Sequence, residues 1–510
     1  MKKSPGCLII MLIRFKITNY LSFNGTQEFT TYRGRTQLKK EHLLHSGTKQ
    51  LLKFSAIYGA NASGKSNLIA AVSQSRQIIL SGLPGGMAES YFKINPENKT
   101  KPTTFEYEIE INDKYYAYGF DLLLAESKII GEWLYEITAG NQDKLIYQRQ
   151  PLAGDTETEK AFELGRKYTN ADLKAYLRGM KTNTQKLFLR DINDGKDDLF
   201  RENPKLRPIQ DVFRWFAEKL IITPPGVLIT PPDSRIGIRP FYLREDFDED
   251  ILNTIIPSLG LGVTSIKFQE EDPQNIRKYI PETEIAPLLQ IISQQTKIFS
   301  TANHPVKEVT VAAQGNKEFL ILKVNPETLK IESMKRMLFM HDGSPDIPFY
   351  YGEESDGTRI LLNLTELLIS AYSNSDNVYI IDEIDLGLHP LLSHRLIELF
   401  LTLSKGKMQL IVTTHELHLM DLDLLRRDEI WLITKHSNGE SELKSLDEYS
   451  VRFDKRLIKA YLSGAYGAIP IIDTYLPLEN DTKLTNEIKP ETETQLAVAE
   501  NTDANKYHKD

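Results

Sequence analysis

The chain has one cysteine, Cys7, in 510 residues. That excludes an intrachain disulfide framework and a cysteine-rich zinc site. It has no apolar run long enough to span a bilayer. The run from Cys7 to Ile13 is far too short. Lys2 and Lys3 precede it, but no small-residue cleavage site follows, so no secretory signal is read there. The strand pattern starts at Met11, which leaves Met1 and Met11 both open as the true start. Positive charge is not in excess: the formal net charge is −8, which argues against a generic nucleic-acid coat. Long heptad runs are missing, which excludes a long coiled coil. Internal repeats are missing too, so a solenoid is not expected. What remains is ordinary globular usage, with 41% hydrophobic and 26% charged residues. The length leaves room for more than one domain. We expect a cytoplasmic protein with no membrane partner.

Against this plain background stands Gly59-Ala60-Asn61-Ala62-Ser63-Gly64-Lys65-Ser66, with Asn67 after it. This is a complete G-x-x-x-x-G-K-[ST] phosphate loop. The apolar run Phe54 to Tyr58 before it reads as a strand, and Lys65 to Arg76 after it as a helix. The glycines let backbone N–H groups turn onto phosphate oxygens. Lys65 supplies a point charge for β- and γ-phosphates, and the Ser66 hydroxyl suits Mg²⁺. The helix start favours an anion.

More than three hundred residues later come four further pieces. Val378 to Glu383 is an apolar strand closing on two acids, as expected of a strand buried on both faces of a parallel sheet. Asp382 would emerge at the carboxyl end of the sheet, where open α/β sheets bind ligands, and could hold Mg²⁺ through water. Glu383 can polarise an attacking water. Upstream, Glu354-Ser355-Asp356-Gly357-Thr358 opens a helical pattern, and its Ser355-x-Gly357 is an anion site or a plain N-cap. Downstream, Gln409 to Thr414 reads as another buried strand ending on His415, placed to reach a γ-phosphate. Asp385 completes the set.

The residues Gly59 to Asn67, Glu354 to Arg359, Ile381 to Pro390 and Thr413 to Glu416, in that order, resemble the ABC-type ATPases of the RecF, SMC and OLD-like branch. The nearest likeness is to the AbiL and RloA type of AAA/ABC protein from phage-exclusion operons. Ile17 to Phe23 and Tyr461 to Pro470 resemble that type's opening and closing segments. The resemblance implies an α/β fold: an ABC-type P-loop ATPase head with an antiparallel β-subdomain. It implies ATP and Mg²⁺ as cofactors, and Glu383, His415 and Lys65 as catalytic groups. Residues 59–67, Ser355, Gly357 and Asp385 would contact nucleotide, and Ser66 and Asp382 metal. Ser355 and Gly357 would face the nucleotide of another subunit, so ATP would join copies of the chain into a dimer or larger homo-oligomer. The transporter signature Leu-Ser-Gly-Gly-Gln is altered here, with Glu354, Asp356 and Thr358 at three of its positions. Gln74, Gln77 and Gln148 all remain open as the glutamine loop.

The expected role is a sensor or scaffold ATPase of anti-phage defence, acting with a separately encoded effector. RecF-like DNA repair and an ATP-binding scaffold with little turnover are the alternatives. No nuclease or Toprim-like carboxylate cluster is seen outside the ATP site. The chain divides into residues 11–169 and 331–473 as two lobes of the head, a mostly helical inserted lid at 170–330, and a disordered tail at 474–510. Thr103 to Arg149 alternates as an antiparallel meander and Val306 to Val324 as a hairpin. The tail carries eight acids and four lysines with little apolar surface. The basic residues between Lys181 and Arg207, with Lys335 and Arg336, are the candidates for contact with DNA or RNA.

Overall fold

The computed structural model describes residues 10–47, 49–138, 143–150, 162–168, 173, 180, 183–223, 241, 248–299, 309–314, 317–325, 327–406, 408–449 and 457–467. The tail at 474–510 and the proline-rich stretch 224–240 lie outside them.

Five parallel strands organise the head. In spatial order they are Leu220–Thr223, Val378–Ile381, Gln409–Thr413, Phe54–Gly59 and Ile430–Lys435, with Ser441–Ser445 antiparallel at the edge. Both faces of this sheet are covered, and the sequence shows why. Side chains alternate across a strand, yet each strand here is apolar at both parities. Val378 and Ile380 enter one core while Tyr379 and Ile381 enter the other. Ile57 joins the first core, and Phe54, Ala56 and Tyr58 join the second.

The first core is closed by the helix Lys65–Ser81, through Leu68, Ile69 and Val72, and by a seven-stranded antiparallel sheet. That sheet contains the meander Thr103–Ile111, Lys114–Leu123, Lys128–Ile137 and Lys144–Arg149, extended by Ile10–Thr18 and Gln27–Thr30. The antiparallel β-subdomain expected from the alternation is thus present. The second core is closed by the helices Asp356–Tyr372 and Pro390–Leu403, through Leu361, Leu364, Leu368, Leu396 and Phe400.

The stretch 170–330 departs from a separate lid. Its described residues hold more helix than strand, as expected, but they serve three places. Leu206, Ile209, Val212, Trp215 and Phe216 are too apolar to stay outside, and they enter the first core. Phe216 packs edge-on against Tyr107 of the meander at 4.9 Å between ring centres. Leu220–Thr223 is the edge strand of the parallel sheet. Val263–Glu271 and the hairpin Val309–Gln314 with Phe319–Val324 join Ile331–His341 and Ser344–Tyr350 in a five-stranded antiparallel sheet. Pairs such as Ile321 with Lys335 cross the expected boundary at 330. The reason is that half-buried strands must find partners for their edges, and these find them on both sides of that boundary. The helix Glu282–Phe299 covers this sheet over a small third core that includes Leu320, Leu322 and Ile292.

Candidate functional site

The carboxyl ends of three adjacent strands bring the distant motifs together. Phe54–Gly59 delivers the phosphate loop, Gln409–Thr413 delivers His415, and Val378–Ile381 delivers the acids. The loop closes because its glycines permit close approach. A Cβ on Gly59 would lie 2.6 Å from the Ile433 carbonyl oxygen. Gly64 has φ +117°, and a Cβ there would meet Ser441 Oγ at 2.5 Å and Ser22 Oγ at 2.8 Å. Ala62 also takes a left-handed conformation, with φ +62°. Ala60 is half-buried, while Asn61, Ala62 and Ser66 are exposed at the loop and helix start.

Lys65 is 5% exposed and folds back on its own loop, donating to Gly59 O at 2.8 Å and Ala60 O at 3.2 Å. Burial lowers its pKa, and the carboxylates of Asp382, Glu383 and Asp385 oppose that shift. The cation and the acid triplet therefore share one electrostatic neighbourhood. His415 belongs to it as well. Its pKa is lowered from 6.5, first by burial and then by the Lys65 ammonium, against Asp385, Glu383 and Asp382.

One threonine joins the acids to the histidine strand. The Thr413 hydroxyl donates to Asp382 Oδ1 and accepts from the Glu383 N–H, the latter at 2.8 Å. Glu383 sits at φ +53°, a conformation L-residues rarely adopt. The bond from its N–H to Thr413 helps hold it there. Asp385 Oδ2 accepts the His415 N–H at 3.3 Å. Asp382 is 3% exposed, and its second oxygen, Oδ2, is buried without a hydrogen-bond partner. A buried carboxylate oxygen without a donor costs on the order of 1–3 kcal/mol, which fits a cation or its water. The Asp382 carboxylate thus suits Mg²⁺ or a water bound to it. Among the described residues no three ligating side chains converge on one point. A metal here would draw its other ligands from phosphate and water, as Mg²⁺ commonly does.

Ser355 and Gly357 are not brought to this phosphate loop by any hydrogen bond among the described residues. Ser355 is the N-cap of Asp356–Tyr372, and its Oγ accepts from Thr358 N at 3.1 Å. It remains exposed. Gly357 is nearly unobstructed, its nearest neighbour to an added Cβ being Gly387 O at 3.9 Å. Arg359 braces this helix start by donating to Glu354 O at 3.1 Å.

Some roles escaped the sequence. Asn67 is committed to the protein, donating to Ser22 Oγ at 2.8 Å. The Ser441 hydroxyl donates to Ser63 O at 2.5 Å, bracing the loop from the sheet edge. Nothing local marks Ser441 in the sequence, and Ser22 is marked only as part of the segment Ile17 to Phe23. Thr413 did have a signal, as a hydroxyl following the apolar run Leu410 to Val412. The basic pair at 335–336 is also different from expectation. Arg336 lies 5.4 Å from the ring centres of both Tyr279 and Tyr350 and pairs with Glu271 at 3.0 Å. It is engaged within its own sheet, and Lys335 is half-buried.

Residues 54–421 match the family model described as "AAA domain, putative AbiEii toxin, Type IV TA system". No curated protein matches the sequence. Similar solved structures include an SmcHead bound to the C-winged helix domain of ScpA, 14% identical over 85% of this chain and 97% of that one, TM-score 0.38. The SMC head domain from Thermotoga maritima is 13% identical over 85% of this chain and 98% of that one, TM-score 0.33. An Smc head with an extended coiled coil, bound to the C-terminal domain of ScpA derived from Pyrococcus furiosus, is 12% identical over 90% of this chain and 100% of that one, TM-score 0.37.

Proposed function

The chain belongs to this AAA-domain family of P-loop ATPases, and on that premise we propose that it hydrolyses ATP as a sensor or scaffold of anti-phage defence. The AbiL and RloA branch is our reading within the wider family. It rests on the motif set and on the segment from Tyr461 to Pro470. The effector would be encoded separately, and the site of action would be the cytoplasm. The family description, with its putative AbiEii toxin of a type IV toxin–antitoxin system, supports a role in such a two-part system.

The observation that carries hydrolysis is the Thr413 bridge. It fixes Asp382 and Glu383 side by side within the field of Lys65. Phosphoryl transfer needs mainly positioning and charge stabilisation. Lys65 would exchange its loop carbonyls for β- and γ-phosphate oxygens. Ser66 and Asp382 would hold Mg²⁺, which when bound neutralises charge on those oxygens. Glu383 would orient and polarise the attacking water, with His415 near the γ-phosphate. Ser355, which is exposed, and Gly357, which is half-buried, would complete the site of a second copy. ATP would then hold copies together, and hydrolysis would release them. Arg336 is engaged within its own sheet, so any contact with DNA or RNA would fall to the basic residues between Lys181 and Arg207.

The test is Glu383→Gln. The variant should bind ATP as the wild type does, release almost no phosphate and accumulate as the ATP-bound assembly. Phosphate release near the wild-type rate would remove Glu383 from this role.

A further inference from the structure

The phosphate-loop strand ends on a tyrosine that the site has not yet used. Tyr58 directly precedes Gly59 and is 1% exposed. Its hydroxyl is buried without a hydrogen-bond partner among the described residues. The neighbouring strand places Tyr58 beside the histidine loop, because Thr414 N–H donates to Ile57 O at 3.2 Å. Asp385 is fastened to the same loop through the His415 N–H. Its other oxygen, Oδ1, is also buried without a partner. Ile384, next to Asp385, shares the second core with Tyr58.

A donor without an acceptor therefore lies in the same neighbourhood as an acceptor without a donor. Each is destabilising while unsatisfied. An O–H to carboxylate bond between them would be charge-assisted and strong. The phenol keeps its proton for this, since burial and then the Asp385 carboxylate push its pKa well above the usual 10.0. Glu416 also faces it, but its Oε1 already accepts from His418 N at 2.9 Å. Tyr461, from the helix Leu457–Leu462, is the remaining titratable neighbour.

We infer that Tyr58 is a positioning residue of the nucleotide site: its hydroxyl donates to Asp385 Oδ1 when the turn at 382–388 closes on bound nucleotide. The bond would fix Asp385, and through it the His415 backbone, against the phosphate loop. This rests on the reading that the site binds ATP. It also explains why a tyrosine, rather than a purely apolar residue, occupies a fully buried place.

The experiment uses the full chain with Tyr58→Phe, Asp385→Asn and the double variant. Two quantities are read: the rise in Tm produced by ATP with Mg²⁺, and phosphate release. Tyr58→Phe should leave the nucleotide-free Tm unchanged or slightly higher, because it removes an unpartnered oxygen. It should reduce the ATP-dependent rise, and lower kcat/KM about tenfold. The double variant should be no worse than Asp385→Asn alone, the signature of two residues acting through one bond. Additive effects would overturn the inference, as would an equal loss of Tm with and without ATP. A wild type that shows the Tm rise but releases no phosphate would sink hydrolysis, leaving Tyr58 to be judged on the Tm rise. A wild type without that rise would sink both.

Discussion

The Thr413 hydroxyl bonds to both members of the acid pair, donating to the Asp382 carboxylate and accepting from the Glu383 N–H. It comes from the strand next door, so the acids are indexed to the strand that carries His415. Thr413→Val keeps the shape and removes both bonds. Asp382 would then have neither oxygen bonded within the protein, a loss of about 1–3 kcal/mol. We expect a lower Tm, retained ATP binding and a fall in phosphate release of roughly tenfold to a hundredfold. Thr413→Ser, which restores the hydroxyl, should recover most of the rate. If Thr413→Val turns over ATP like the wild type, the bridge has no catalytic consequence.

Lys65 and His415 supply a pH prediction. Folding holds the His415 pKa below 6.5 by burial, then by the Lys65 charge. Between the folded value and 6.5 the unfolded chain therefore binds more protons. Stability contributed by this group is full above that window and declines as pH falls through it. Replacing Lys65 by Met removes one depressing cause and leaves the opposing carboxylates. The imidazole titration, followed by NMR, should move up in Lys65→Met. An unchanged midpoint would show that Lys65 and His415 do not share a site.

What the sequence made readable was whatever depends on local spacing. The phosphate loop, the acid strand and His415 are each written within ten residues, and hydrophobic alternation exposed the meander and the hairpin. Thr413 shows the limit: its partners lie on another strand, and only the parallel register brings them to it. The stretch 170–330 shows the same limit at larger scale. Leu220–Thr223 looks like any short apolar run, and nothing local says that it pairs with Val378–Ile381. Arg336 read as a candidate for contact with DNA or RNA because its tyrosine and glutamate neighbours are remote in sequence.

Gly64 and Gly357 should behave differently. Gly64 has φ +117° and no space for a methyl group, so Gly64→Ala should distort the phosphate loop. We expect loss of the ATP-dependent Tm rise together with a lower Tm in its absence. Gly357→Ala meets nothing closer than 3.9 Å, so the fold should accept it with Tm unchanged. Paired melts with and without ATP separate the outcomes, and equal behaviour of the two variants would contradict the local geometry.

Ser355 offers the sharpest check of a composite site, because its structural duty can be kept while its surface is changed. Its hydroxyl caps the helix Asp356–Tyr372 by accepting from Thr358 N. Asp serves at an N-cap about as well as Ser, and its charge suits the positive helix start. Ser355→Asp should therefore preserve Tm and the ATP affinity of the isolated subunit. A carboxylate at that position would nonetheless oppose a partner's γ-phosphate, since like charges brought together out of water repel strongly. ATP-dependent association, followed by sedimentation velocity in the non-hydrolysing Glu383→Gln background, should fall at least tenfold in affinity. Ser355→Ala removes the cap without adding charge, so it should cost about 1 kcal/mol of stability and weaken association far less. Undiminished association in Ser355→Asp would remove this helix start from the nucleotide site of a second copy.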